Sequence, residues 1–183
     1  DVCSSELGTV LNHLERAGAF TWLNTGAHGL PLLGFADWND TMNLRKGAES
    51  LFNAHLFGRA LLEMIALMAH LGHTEHAEAY REHYATMRDR VNELAWDGDI
   101  GGGAWYVRYF DTDGTPIGSL SNDKGQIYLN AQSWAVLSGF ATPERAVQAL
   151  DSAYERLNTA KGLKNATPGY NGFDPNKGGI TTY

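Results

Sequence analysis

Cysteine is almost missing from this sequence. Cys3 is the single one in 183 residues, so no internal disulfide can form and no cysteine-rich metal set can be assembled. Positive charge is scarce as well. Fourteen Lys and Arg stand against twenty-one Asp and Glu, a formal net charge of −7, which removes the basic footprint that nucleic acid or an anionic membrane surface would need. No long hydrophobic run is present: the most apolar stretch, Ala60 to Ala69, is interrupted by Glu63 and is short for a bilayer span. The first thirty residues lack the charged start and apolar run of a secretory leader. These shortages predict a soluble, cytoplasmic protein with no nucleic-acid partner and no membrane partner. The chain opens at Asp1 and closes on Gly178-Gly179-Ile180-Thr181-Thr182-Tyr183, a loop-like segment with no closing element, so a fragment of a longer protein is expected.

What the sequence does contain is enough for a packed core: 43% of residues are hydrophobic and 19% charged. No linker or low-complexity tract divides residues 1–183, which read as one partial domain. Hydrophobic periodicity predicts five helices of two kinds. Residues 6–23, 75–95 and 143–157 each carry one apolar stripe, such as Ala77, Tyr80, Tyr84, Met87, Val91 and Leu94, or Ala146, Leu150, Ala153 and Leu157. Residues 48–71 and 129–140 are apolar nearly all round. Gly72 ends the first of these, Thr74 is the expected cap of the next helix, and Thr142-Pro143-Glu144 opens the last. The order outer, inner, outer, inner, outer predicts an all-α fold, part of a two-layer α/α barrel or toroid.

Connection lengths say where chemistry belongs. Inner helices pass to their outer partners through tight turns, whereas residues 24–47, 96–128 and 158 onward return by long segments. These must gather on one face, at the N-terminal ends of the inner helices. The middle segment is expected to hold a small β-hairpin, with Trp105 to Phe110 as a strand and Asp113-Gly114 at the turn.

The densest polar cluster is Phe35-Ala36-Asp37-Trp38-Asn39-Asp40-Thr41-Met42-Asn43, in the first long segment. Two carboxylates, an indole and two amides are the parts of a sugar site, where the aromatic face covers the C–H side of a pyranose and polar groups bind hydroxyls. A carboxyl held beside an indole away from water can stay protonated and act as a general acid. The same run also reads as a loop of Asx-turns leading into a helix, and the residues alone leave both readings open. His70, His73 and His76 lack a completing acid or cysteine, so no metal site is expected. Asp111-Thr112-Asp113-Gly114 is a turn rather than a calcium loop, and Gly101-Gly102-Gly103 lacks the Lys-Ser or Lys-Thr of a phosphate loop.

The runs Gly29-Leu30-Pro31-Leu32-Leu33-Gly34-Phe35-Ala36-Asp37-Trp38-Asn39-Asp40-Thr41, Gly47-Ala48-Glu49-Ser50-Leu51-Phe52, Ala95-Trp96-Asp97-Gly98, Asp113-Gly114-Thr115-Pro116-Ile117-Gly118-Ser119, Leu129-Asn130-Ala131-Gln132-Ser133-Trp134-Ala135-Val136 and Pro168-Gly169-Tyr170-Asn171-Gly172-Phe173-Asp174-Pro175 together resemble the cellobiose phosphorylases, inverting disaccharide phosphorylases of glycoside hydrolase family 94. The resemblance covers nearly the whole chain in order. It implies an (α/α)6 barrel and phosphorolysis of cellobiose to α-glucose 1-phosphate and glucose. Asp40 then takes the role of general acid, Trp38 lines the sugar subsite, and Asp37, Asn39 and Gln132 join it in substrate binding. Inorganic phosphate is a co-substrate, with no further cofactor and no metal. Relatives acting on cellodextrin, chitobiose or cellobionic acid are the alternatives within the family, and a non-catalytic sugar-binding helical module is the alternative outside it. A homodimer is compatible with the resemblance for the full-length enzyme, and the phosphate-binding residues are expected beyond Tyr183. The run from Asp97 to Tyr106 is longer than the family pattern between Trp-Asp-Gly and Trp-Tyr.

Overall fold

The computed structural model describes residues 8–34, 38, 44–170 and 172. Five helices lie close to the expected positions: α1 (Val10–Leu23), α2 (Leu51–His70), α3 (Thr74–Leu94), α4 (Leu129–Leu137) and α5 (Pro143–Leu157). The fold is mostly helical, with small sheets between the helices. α1 begins at a reciprocal cap in which Thr9 Oγ1 accepts from Asn12 N–H and Asn12 Oδ1 accepts from Thr9 N–H. α5 begins at Thr142, whose hydroxyl accepts from Arg145 N–H, with Pro143 as its first residue. Gly72 closes α2 at φ +79°, with Gly72 N–H on Ala69 O and His73 N–H on Met68 O, the paired bonds of a Schellman end. Thr74, expected to cap α3, is instead its first residue; His73 holds the cap position without a side-chain bond, because the connection is only Leu71, Gly72 and His73 and the first two close α2.

The helices pack in chain order. α2 packs along α3 and against α4, and α4 packs along α5, while α1 touches α2 lightly. Burial is uneven: nine α2 residues are buried, against three each on α3 and α5. On α5, Ala149 takes the core position where Leu150 was expected, and Leu150 is exposed, since the short side chain lets the helix approach the core closely. α2 and Phe140 touch at Gly58, where an added Cβ would stand 2.2 Å from the ring. By length and composition α2 is the one described helix apolar enough to cross a membrane, which the shorter stretch read from the sequence did not bring out. Half of that stretch is buried inside the protein, against the neighbouring helices.

The β-structure is richer than the single expected hairpin. β2 (Tyr109–Phe110) and β3 (Pro116–Ile117) pair antiparallel around the Asp113-Gly114 turn, as anticipated, but a third strand, β1 (Glu49–Ser50), joins β2 and shortens the start of α2. The hairpin strand is also shorter than Trp105–Phe110. Trp105 turns inward to donate from Nε1 to Gly118 O and Gln126 O, and Tyr106 pairs with Trp96, so residues 105–107 pass through the core rather than along a sheet edge. β4 (Ile127–Tyr128) pairs with β7 (Ala166–Thr167), and β5 (Asn158–Thr159) with β6 (Gly162–Leu163). All three long segments thus meet one another at the N-terminal ends of α2 and α4.

One core residue carries an electrostatic cost. His55 on α2 is fully buried between the rings of Tyr106 and Phe140, and neither ring nitrogen has a partner among the described residues. Burial first, and the nearby Arg108 charge second, push its pKa down to about 3. An unfolded histidine takes up its proton near pH 6.5 and the folded one resists, so stability is full above that pH and declines as pH falls toward 3. His55→Phe should therefore flatten the pH dependence of urea unfolding over that window by a few kcal/mol relative to the parent, and leave stability near pH 8 little changed.

Candidate active site

The loop that carries the polar cluster is built on a fixed stem. Before it, Leu33 N–H donates to Ala48 O at 2.8 Å; after it, Ser50 N–H donates to Pro31 O at 2.9 Å, and Leu32 pairs antiparallel with Glu49. Asn53, in the first turn of α2, adds a bond from Nδ2 to Leu32 O. The stem is locked from below by the Glu49 carboxylate, which is 2% exposed. Its Oε1 accepts from His28 N–H and Leu30 N–H, both at 3.0 Å, and its Oε2 meets His28 Nδ1 at 2.5 Å. Gly26 is required beside it, because a Cβ there would fall 2.4 Å from the Glu49 side chain.

Asp37, Asn39 and Asp40 lie outside the described residues. Trp38 is described, and its indole is 66% exposed. It rests on Phe52 of α2, ring centroids 5.9 Å apart and tilted by 51°. Phe52 in turn meets Trp134 of α4 in a T-shaped contact at 5.7 Å, so an aromatic series runs from Trp38 across α2 to α4. An indole set against one ring and mostly exposed is suited to the apolar face of a sugar ring.

Gln132, the fourth expected substrate contact, is fully buried at the start of α4. Its Nε2 donates to Tyr106 O at 2.8 Å and Tyr128 O at 3.0 Å, and its Oε1 accepts from Tyr106 N–H at 2.8 Å. In this structure it clamps the middle segment onto α4, with both N–H donors engaged by backbone.

Residues that sequence reasoning passed over hold the remaining loops. Asp97 is fully buried: its Oδ2 accepts from Gly103 N–H and Leu120 N–H, and its backbone oxygen accepts from Ile100, Gly101 and Gly102. The glycine run therefore points its N–H groups at Asp97 and not outward at a phosphate, and it allows this because a Cβ on Gly101 or Gly103 would collide with Ser119 or with Asp97 and Trp105. At the hairpin turn, Arg45 bridges Asp111 at 2.7 Å and Asp113 at 2.8 Å. Hydrogen bonds from Thr115 and Arg45 hold the Asp113 carboxyl well below the usual range. The Trp-Asp-Gly run was the one signal that could have marked Asp97, since a buried aspartate ahead of glycines is a common loop organiser.

No cluster of three metal-ligating side chains occurs among the described residues. His73 and His76 stack on each other at the surface, and His76 meets Glu15 at 3.5 Å. A groove of about 780 Å³ lies between α1 and α2, lined by Leu14, Phe20, Leu56, Phe57, Ala60 and Met64. Its lining is mostly apolar, with Thr21, Asn24, Asn53, Glu63 and Tyr80 as its polar members.

Removing the stem lock should be costly. Glu49→Ala leaves three inward donors without their acceptor and is expected to lower stability by on the order of 3 kcal/mol in urea unfolding, whereas Glu49→Gln, which keeps one acceptor oxygen, should lose less.

The family described as "Glycosyl hydrolase 94 superfamily, catalytic domain" matches residues 2–183. A 3-O-beta-D-glucopyranosyl-beta-D-glucuronide phosphorylase of Paenibacillus borealis is 38% identical over 97% of this chain and 23% of its own length. An N,N'-diacetylchitobiose phosphorylase of Vibrio proteolyticus is 33% identical over 94% and 21%, and a cellobionic acid phosphorylase of Neurospora crassa is 31% identical over 95% and 22%. The chain spans less than a quarter of the length of these relatives. Among solved structures, a GH78 family rhamnosidase of Bacillus sp. GL1 superposes with a TM-score of 0.56 at 21% identity, over 78% of this chain and 14% of that one, a likeness of fold alone. With the family matched from end to end and relatives aligned over almost its full extent, the chain belongs to the glycosyl hydrolase 94 superfamily, within its catalytic domain.

Proposed function

We propose that this chain is part of the catalytic domain of an inverting disaccharide phosphorylase that converts cellobiose and inorganic phosphate to α-glucose 1-phosphate and glucose. Its helices then belong to an (α/α)6 barrel, with α2 and α4 in the inner layer and the acid loop at their N-terminal ends. The observation that carries the reading is Trp38: an open indole, seated on Phe52 at the head of an inner helix, in the loop that holds both candidate acids.

In this mechanism the glucosyl ring lies against Trp38, and Asp37 and Asn39 bind hydroxyls. Asp40 gives its proton to the glycosidic oxygen as a phosphate oxygen attacks the anomeric carbon from the opposite face. The bond from that carbon to the leaving sugar breaks, its electron pair going to the oxygen that receives the proton. An inverting hydrolase needs a second carboxylate to activate water. Phosphate is already a nucleophile, so one acid suffices.

The relatives are named for different disaccharides, and the acceptor sugar is therefore what a substrate panel must read. Incubating the intact protein with phosphate and cellobiose, cellobionic acid, chitobiose or glucosyl-glucuronide should release α-glucose 1-phosphate from cellobiose most efficiently. Release from another member alone reassigns the acceptor. Sugar binding with no sugar phosphate from any member favours the non-catalytic module.

Asp40→Asn keeps the shape but removes the transferable proton. Turnover of cellobiose should fall on the order of 100-fold or more, with a much smaller change in affinity. A donor whose leaving group needs no proton should retain its phosphorolysis in Asp40→Asn. If Asp37→Asn shows this pattern while Asp40→Asn turns cellobiose over normally, the two acids exchange roles.

A further inference from the structure

Arg108 is the largest fully buried side chain among the described residues, and none of the chemistry above uses it. It enters from the residue before β2 and reaches under the N-terminal end of α2. Its Nη1 donates to Ser50 Oγ, the oxygen that also caps α2 by accepting from Asn53 N–H. Its guanidinium carbon lies 4.1 Å from the ring centre of Tyr109 and 5.1 Å from that of Phe52. The Phe52 ring that it touches is the one on which Trp38 rests.

A fully buried cation is expensive, and an apolar side chain of similar volume fills such a space at lower cost. What the guanidinium adds is geometry. It is planar, lies against aromatic faces and donates in fixed directions, so it sets the orientation of the rings it contacts in a way that a flexible hydrocarbon does not. Phe52 is thereby held by Arg108 and by Trp134, and Trp38 meets Phe52 beyond them. Trp38 itself is mostly exposed, and its described ring contact is with Phe52.

We propose that Arg108 is a positioning residue for the sugar platform: it fixes Phe52, and Phe52 fixes the indole of Trp38. The consequence for catalysis rests on the proposed reading in which Trp38 lies against the glucosyl ring; the structural coupling does not.

The test uses the intact protein with Arg108→Met, Arg108→Lys, Phe52→Leu and the Arg108→Met/Phe52→Leu double variant. Thr142→Ala, at the remote cap of α5, serves as a control for lost stability. Emission from Trp38 is isolated by subtracting the spectrum of Trp38→Phe, and KM and kcat are measured with the best disaccharide. Arg108→Met is expected to shift the Trp38 emission in the sugar-free protein and to raise KM about tenfold with kcat within about threefold. Arg108→Lys should recover part of the loss, the double variant should be no worse than the worse single one, and Thr142→Ala should change neither emission nor KM. Folded Arg108 variants with unaltered Trp38 emission, or single effects that add in the double variant, overturn the proposal. Should Arg108→Met fail to fold, Arg108→Lys and Phe52→Leu decide by the same readings. A parent protein that makes no sugar phosphate sinks the phosphorylase reading alone, because the emission comparison still decides the coupling.

Discussion

Two residues, Glu49 and Ser50, tie the structure together. As a two-residue strand they lie between Leu32 on one side and Phe110 on the other, and so join the first long segment to the second. The Glu49 carboxylate draws in the turn at His28 and Leu30, while the Ser50 hydroxyl starts α2 and receives Arg108. A buried carboxylate gathering two backbone N–H groups and an imidazole is strongly favourable only when all three donors converge, which makes the turn and the strand one unit. The loop with Trp38 springs from that unit, so its ends inherit the rigidity of the inner helix rather than of a surface connection.

The helical plan was legible because it depends on periodicity. α2 lies where its apolar run placed it, although one side, with Leu56, stays exposed, and the α5 start was readable from Thr142-Pro143, since a cap followed by proline has few other uses. The inward face of α5 was read one position off, at Leu150 for Ala149, because close helix contact favours the smaller residue over the more apolar one. The β-pairs were mostly illegible. Glu49-Ser50 and Ala166-Thr167 are polar or small, carry no alternation, and form strands only because distant partners meet them. Asp97, Glu49 and Arg108 were missed as organisers for the same reason: nothing local distinguishes a buried charged residue from a solvated one. Trp38 and its neighbours were singled out by chemical composition and Gln132 by family likeness; the structure shows Gln132 holding Tyr106 and Tyr128.

The exposed apolar surface has a different logic from the site. Val10, Phe20 and Leu23 leave α1 without a single buried residue, and the 780 Å³ groove runs between this helix and α2. Apolar area of that extent is unusual on a self-contained surface. The site face shows the opposite pattern. There each long segment ends in a short strand paired with another segment, and the polar groups that could face water are turned onto backbone by Asp97, Gln132 and Asn122. Hydrogen bonding is concentrated where loops must be rigid, and apolar surface where helices lie side by side.

Such an allocation fits a reaction that relies on one acid. When a second carboxylate is not needed, the rate depends on how closely the proton donor and the glycosidic oxygen are held along the line of attack. Holding reactants in place is worth several kcal/mol only if the holding groups do not move. Loops that kept their backbone polar groups hydrated would lose that advantage to their own motion. Loops stitched by β1, by Asp97 and by Gln132 keep it, and the cost falls on buried charges such as Arg108, which must be compensated inside the protein. The expensive interior of this chain and the economy of its proposed chemistry are therefore two sides of one constraint: with a single proton donor, precision must come from the scaffold.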